Sequence, residues 1–243
     1  MNEFLLVLAI VFVSALLTYL GAPIAERFDV SHRVVGVALQ FAAGILTALV
    51  VLSLIPLAMN SSQQLLMILA FFLGGAIFIV FDYASARRLA DKPEGGSNVA
   101  SLGLYVGILV DLAIDGAITG IAATQTIGTG LLLALALGIE GALLVFVGIA
   151  TAKEQGMARE QRRLLSVLFF ATVMVSTVLG YLLLRNQSLE LRLILISLAA
   201  GMLITTVTQS MIPEANREGE PSLAGLFFVG GISLYALLAA GLQ

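Results

Sequence analysis

The sequence predicts an all-α polytopic membrane protein, with eight transmembrane helices in a three-two-three arrangement. First, 60% of its 243 residues are hydrophobic and only 11% are charged, whereas a soluble domain carries about a quarter charged residues. The mean hydropathy is +1.07, and so few charges cannot cover a soluble surface. Second, eight apolar runs are long enough to cross a bilayer, which takes about 20 residues of helix. Third, two of those runs repeat each other and divide the chain into related halves.

The first run, 3–22, has Glu3 and no basic residue ahead of its apolar stretch. A cleaved signal peptide has a basic start and a shorter apolar core, so this is expected to be a retained first span. Spans then follow at 33–59 after APIAERFDVSH, 63–86 after NSSQ, 99–125 after RRLADKPEGGSN and 128–152 after the tight TIGTG. The last three are 163–184 after KEQGMAREQRR, 190–212 after RNQSLE and 222–242 after PEANREGEPS. Together they make a single transmembrane domain over 1–243.

Basic residues set the expected orientation. Ten of the twelve Lys and Arg follow odd-numbered spans: Arg27 and Arg33; Arg87, Arg88 and Lys92; Lys153, Arg159, Arg162 and Arg163; and Arg217. The opposite side has only Arg185 and Arg192. Positive loops stay cytoplasmic, which predicts a multi-pass protein of the cell (inner) membrane with both termini outside the cytoplasm. Cysteine is absent, which excludes disulfides and thiolate chemistry. No Ser/His, phosphate-loop or nucleic-acid signature is present.

The repeat pairs AAGILTALVVLSLIPLA at 42–58 with AAGMLITTVTQSMIPEA at 199–215, identical at nine of 17 positions at an offset of 157. Gly44/Gly201, Ser53/Ser210 and Pro56/Pro213 are among the identities, and FFLGG (71–75) or FFVGG (227–231) follows each copy. The second span runs outward and the seventh inward, so spans 1–3 and 6–8 form an inverted repeat around spans 4 and 5. Inverted repeats are typical of secondary transporters with a mid-membrane site between them.

Residues 111–120, DLAIDGAITG, place two aspartates inside an apolar run; from Val99 to Ile118 the other polar side chains are Ser101 and Tyr105. Four apart, Asp111 and Asp115 share one helix face. Glu140 stands near the middle of the fifth span, in LALALGIEGALLVFVG. An ionised Asp at the bilayer centre costs about 2.5–3.5 kcal/mol on insertion scales. The three acids must therefore face something polar, a cation or each other. Gly107, Gly116 and Gly120 on one span and Gly138, Gly141 and Gly148 on the other let the backbones approach. No Lys, Arg or His stands at comparable depth, so the counter-charge is protons or a bound metal ion. Asp111, Asp115 and Glu140 are the candidate metal ligands. The bland alternative is acids that stay protonated and hydrogen-bond helix to helix, although intramembrane ionisable groups are functional by default.

Other polar residues are weaker candidates. Ser53, Gln209 and Ser210 lie near span ends, where an access path and ordinary packing explain them equally well. Thr119, Thr124 and Gln125 follow the aspartates and are candidates to extend a polar route, with an interfacial position as the alternative for Gln125. Met174, Met202 and Met211 fit core or lipid-facing filler. His32 suits an interfacial helix start, and Asp82 a pairing with Arg87 or Arg88.

The arrangement resembles the ZIP family of divalent-metal transporters over essentially the whole chain. The family's fourth helix carries His-Asn-x-Pro-Glu-Gly, and Asp111-Leu112-Ala113-Ile114-Asp115-Gly116 falls on that frame. Its fifth carries His or Gln and then x-x-Pro-Glu-Gly, onto which Ala136 through Ile139-Glu140-Gly141 falls; IPEA at 212–215 also looks like family sequence. In place of the family's histidine, asparagine and two prolines stand Asp111, Leu112, Ile114 and Ile139, and Thr177 opens the frame where the sixth helix often has Glu-Pro-x-Gly. Thr177 thus joins Thr119, Ser53, Gln209 and Ser210 as a candidate pathway residue.

The resemblance implies transport of divalent cations of the zinc, manganese and iron class, with the ion as cargo and no tightly bound cofactor. It implies sliding of a bundle containing helices 4 and 5 against the rest. The surviving carboxylates suit one metal better than two, and oxygen-only sites favour harder ions such as manganese or magnesium. Expected partners are the ion and the lipid bilayer, with room for a homodimer and no nucleic acid. No enzymatic activity is expected: an intramembrane aspartyl protease needs its two Asp on different helices in Tyr-Asp and Gly-x-Gly-Asp settings. The rival readings are a transporter of another solute that uses the acids as a proton relay, and a non-transporting membrane homologue.

Overall fold

The computed structural model describes residues 3–90, 96–218 and 221–241. Among them eight helices follow one another: α1 (Glu3–Arg27), α2 (His32–Met59), α3 (Gln64–Ala90), α4 (Gly96–Ala123), α5 (Ile127–Glu154), α6 (Arg159–Leu184), α7 (Leu189–Glu218) and α8 (Pro221–Gly241). Each contains a stretch long and apolar enough to cross a membrane. The protein is an all-α, multi-pass membrane protein.

Helix ends depart from expectation where polar partners, rather than apolar content, decide them. α1 continues through Pro23 to Arg27, past the expected end at residue 22. Its last turn is held by Arg162, whose Nε and Nη2 donate to Glu26 at 2.5 and 2.8 Å. α7 likewise runs on through IPEANRE to Glu218 rather than stopping at 212. The α4–α5 break lies at 124–126 rather than across TIGTG: the Thr126 hydroxyl accepts from the Thr129 N–H at 3.0 Å, an N-cap that starts α5 at Ile127. α5 ends on Gly156 with φ 74°, and the Met157 N–H bonds back to the Ala152 carbonyl at 3.0 Å, the glycine-terminated turn that side chains disfavour. The expected partnership of Asp82 with Arg87 or Arg88 lies outside the described residues.

The layers follow from which helices are covered. Within the spans, 61% of α4 and 67% of α5 are buried, against 22% of α3 and 11% of α8. The acid-bearing helices are therefore the centre, and α3 and α8 are the most lipid-exposed. Each member of the central pair takes its main outside partner from one triplet: α1 packs on α5 and α6 on α4. The triplets also interlock, because α2 pairs with α8 and α3 with α7.

Glycine permits both interlocking contacts. A Cβ on Gly44 would stand 2.0 Å from the Phe228 carbonyl oxygen, and one on Gly231 2.1 Å from that of Phe41. The same reciprocal contact joins Gly201 to Phe71 at 1.9 Å and Gly74 to Leu198 at 1.9 Å. Every residue of the first set is its counterpart in the second displaced by 157, the offset of the sequence repeat. The FFxGG likeness is consequently out of step by one position: Gly74 is matched in space by Gly231, the last residue of its motif.

Both repeats also widen into a π-helical turn at corresponding places, Val50–Leu54 in α2 and Val207–Met211 in α7. Each turn ends just before the Ile-Pro pair that carries Pro56 or Pro213. Proline has no N–H to give and its ring collides with the carbonyl four residues back, and a widened turn relieves both problems without breaking the span.

The interlock makes a stability prediction. Gly44→Ala and Gly201→Ala should each lower thermal stability in detergent, by roughly 1–3 kcal/mol as for other overpacked sites. Gly107→Ala, where a Cβ meets nothing within 4 Å, should not. Thermal unfolding of the purified variants checks this.

Candidate metal centre

Against expectation, the glycines of α4 and α5 mostly admit the outer helices. A Cβ on Gly120 would stand 2.2 Å from the Thr177 carbonyl oxygen of α6, and one on Gly138 3.2 Å from the Ser14 carbonyl oxygen of α1. One on Gly107 meets nothing within 4 Å, and Gly141 and Gly148 alone face side chains of α4. A Cβ on Gly141 would stand 3.0 Å from Leu112 Cδ2, so the Glu140-Gly141 step lies against the Asp111–Asp115 turn. Each acid-glycine pair is also closed from behind by a threonine of the neighbouring triplet. Thr18 Oγ1 of α1 is 2.9 Å from the Cβ position of Gly141, and Thr177 Oγ1 of α6 is 3.0 Å from that of Gly116. Asp115 and Glu140 thus occupy related positions, each followed by a glycine that faces an outer helix, whereas Asp111 has no counterpart on α5.

Asp111, Asp115 and Glu140 converge. Each offers a carboxylate oxygen that lies within 4.8 Å of those of the other two. Oxygen–metal bonds of about 2.0–2.6 Å allow oxygens on one ion to sit up to about 5 Å apart, so one cation can touch both helices. The residues are 3%, 2% and 0% exposed, and none of their six carboxylate oxygens has a hydrogen-bond partner in the protein. No cationic side chain acts on any of them. In their ionised form such groups need pairing or coordination, and no cationic side chain of the protein supplies it. An all-oxygen set of this kind suits a hard divalent ion.

One neighbour was not anticipated. Thr206 of α7 faces Asp111, outside strict hydrogen-bond geometry, its hydroxyl donating instead to the Met202 carbonyl at 3.2 Å. It is the last residue before the π turn of α7, so the widened segment begins beside the carboxylates. A threonine in an apolar helix carries no distinguishing signal; only its position just ahead of the repeated Pro213 segment could have drawn attention to it.

The other sequence candidates are distributed differently. Thr119 and Thr177 are buried but spend their hydroxyls on their own helices, bonding the carbonyls of Asp115 and Val173 at 2.8 and 2.7 Å. Ser53 sits in the π turn of α2 and hydrogen-bonds the hydroxyl of Tyr235, which is fully buried on α8. Gln209 is exposed and Ser210 half-buried in the π turn of α7. Thr124 is tied to α7 by Arg192, which donates to both its carbonyl and its hydroxyl at 3.0 Å. At the opposite end of the bundle His32 lies between Glu154 and Glu218, and Lys153 binds Asp29 at 2.8 Å; that ion pair holds the Asp29 carboxyl below its ordinary range.

Comparison with known protein families and with curated protein sequences returns no match for this chain.

The lack of a cationic partner predicts how the acids affect stability. In metal-free protein, Asp115→Asn and Glu140→Gln should leave the melting temperature unchanged or higher, because each removes a buried acid whose nearest polar neighbour is another acid. Acids acting as protonated helix-to-helix glue would give the reverse, a fall in melting temperature on loss of the shared proton. Differential scanning fluorimetry after exhaustive chelation separates these outcomes.

Proposed function

We propose that this protein transports divalent metal cations through the Asp111–Asp115–Glu140 site, as a divergent relative of the ZIP family. The observation that carries the reading is the convergence of three buried acids from two helices within single-ion distance, with no cationic side chain to neutralise them. The repeated architecture supports it, since a mid-membrane site between inverted repeats is the arrangement of alternating-access transporters. The cargo sheds most of its water and exchanges it for carboxylate oxygens. Its ligands must be deprotonated, so binding weakens as pH falls. The π turns of α2 and α7 are the natural places for bending as the central pair moves against the outer helices.

The same reading places the protein in the cell (inner) membrane with both termini outside. Support comes from the ten-to-two division of Lys and Arg and from the clustering of Lys153, Arg162 and His32 with acidic partners at one end of the bundle.

Purified protein in sealed vesicles should accumulate manganese, iron or zinc from a panel of ions, with one class preferred. Asp115→Ala and Glu140→Ala should reduce accumulation to the level of empty vesicles while remaining monodisperse in detergent. A transported ion should also stabilise the wild type by RT ln(1 + [L]/Kd), about 2.7 kcal/mol at a hundredfold excess over Kd. A proton relay for another solute would show no such metal dependence. Undiminished uptake by both alanine variants would reject the assignment.

A further inference from the structure

At the end of the bundle that carries the basic loops, α1 and α6 diverge around a cleft of about 430 Å³ that the metal site does not use. Its size falls in the roughly 300–1,000 Å³ range of small-ligand sites. Arg27 of α1 and Arg159 and Arg163 of α6 line it, with Glu26, Tyr19 and Pro23. The one acid of the lining is already engaged, because Glu26 receives two hydrogen bonds from Arg162. The Arg162 guanidinium also donates to the Met157 carbonyl. Among the described residues Arg27, Arg159 and Arg163 have no ion-pair partner. Three arginines without a close ion pair thus line one cavity beside a single acid, Glu26, that Arg162 binds directly and Arg159 also attracts, in a chain whose net charge is −3.

The cleft changes character along its depth. Below the arginines its wall is Ala22, Pro23 and Tyr19, and the Tyr19 ring meets Phe170 of α6 edge-on at 6.0 Å between centroids. Neighbouring positions on the same two helices carry exposed apolar side chains, Leu20 and Ile24 on α1 and Leu164 and Val167 on α6. The cleft therefore opens toward acyl chains, with its charge at the level where α6 enters the bilayer. Guanidinium groups bind phosphate oxygens in pairs, and basic pockets between transmembrane helices on the cytoplasmic side suit anionic headgroups.

We infer that this cleft is a binding site for an anionic phospholipid, whose phosphate is held by Arg27, Arg159 and Arg163 while its acyl chain lies on Tyr19, Ala22 and Pro23. The bound lipid would brace α1 against α6. These are the helices that pack on α5 and α4 respectively, so the brace spans both carriers of the carboxylates. The inference is independent of the metal reading.

Native mass spectrometry of the full-length protein, delipidated in neutral detergent and titrated with phosphatidylglycerol or phosphatidylcholine, tests it. Wild type should bind phosphatidylglycerol in preference to phosphatidylcholine. Arg163→Gln should weaken phosphatidylglycerol binding about fivefold, and R27Q/R159Q/R163Q roughly a hundredfold, as expected for loss of one and three basic contacts. Arg217→Gln, on the same end of the bundle but outside the cleft, should bind as wild type, and inorganic phosphate should not displace the lipid. Unchanged binding by Arg163→Gln and the triple variant, equal binding of phosphatidylcholine, or displacement by inorganic phosphate would each overturn the proposal, the last by reducing the cleft to a free-anion site.

Discussion

The architecture depends on one electrostatic constraint: three carboxylates are enclosed in apolar surroundings with no cationic side chain to neutralise them. Placing such groups at the centre of a bilayer is costly, on the order of 2.5–3.5 kcal/mol for each ionised Asp. Enclosing them without hydrogen-bond partners adds a further cost. The most deeply covered helices, α4 and α5, are those that carry the acids, and the outer triplets wall them off from lipid. A fold that concentrates burial around three acids without a cationic partner leaves protons or a bound cation as the species that can balance them, which is the basis of the proposed function.

The repeat explains how the enclosure is built. An acid followed by glycine occurs on both central helices, and each glycine admits a threonine-bearing helix from a different triplet, Thr18 of α1 or Thr177 of α6. The pairs α2–α8 and α3–α7, each joining a more buried helix to an exposed one, interlock through reciprocal glycine–carbonyl contacts. Because each pair joins one triplet to the other, neither half can close its own layer. Between the rigid crossings lie the two π turns. The one in α7 starts beside Asp111, while the one in α2 is tied to Tyr235 through Ser53. The symmetry of backbone is thus not matched by symmetry of polar contact.

Much of this was legible in the residues. Eight spans are visible because helices in lipid need long apolar runs. The triad stands out because carboxylates in such runs are expensive, and the offset of 157 predicted a structural correspondence that extends to individual glycine contacts. Other features depend on space rather than on pattern. Glu26 and Arg162 are 136 positions apart, so the ion pair that extends α1 leaves no local trace. FFxGG invited an alignment by letters, whereas the backbone obeys the offset of the longer repeat. Thr206 is one of many hydroxyl residues in apolar helices, and only the folding of α7 against α4 distinguishes it. The arginine cleft was visible as positive loops but not as a cavity, since Arg27 joins Arg159 and Arg163 only when α1 and α6 meet.

The central claim is that one cation is coordinated by oxygens from both central helices. X-ray absorption spectroscopy on protein loaded with manganese, together with a measured metal-to-protein ratio, addresses it directly. The account predicts one ion per chain in a first shell of oxygen alone, with the ion lost from Glu140→Gln protein. A nitrogen-containing shell, or a shell and stoichiometry unaltered by that substitution, would contradict it.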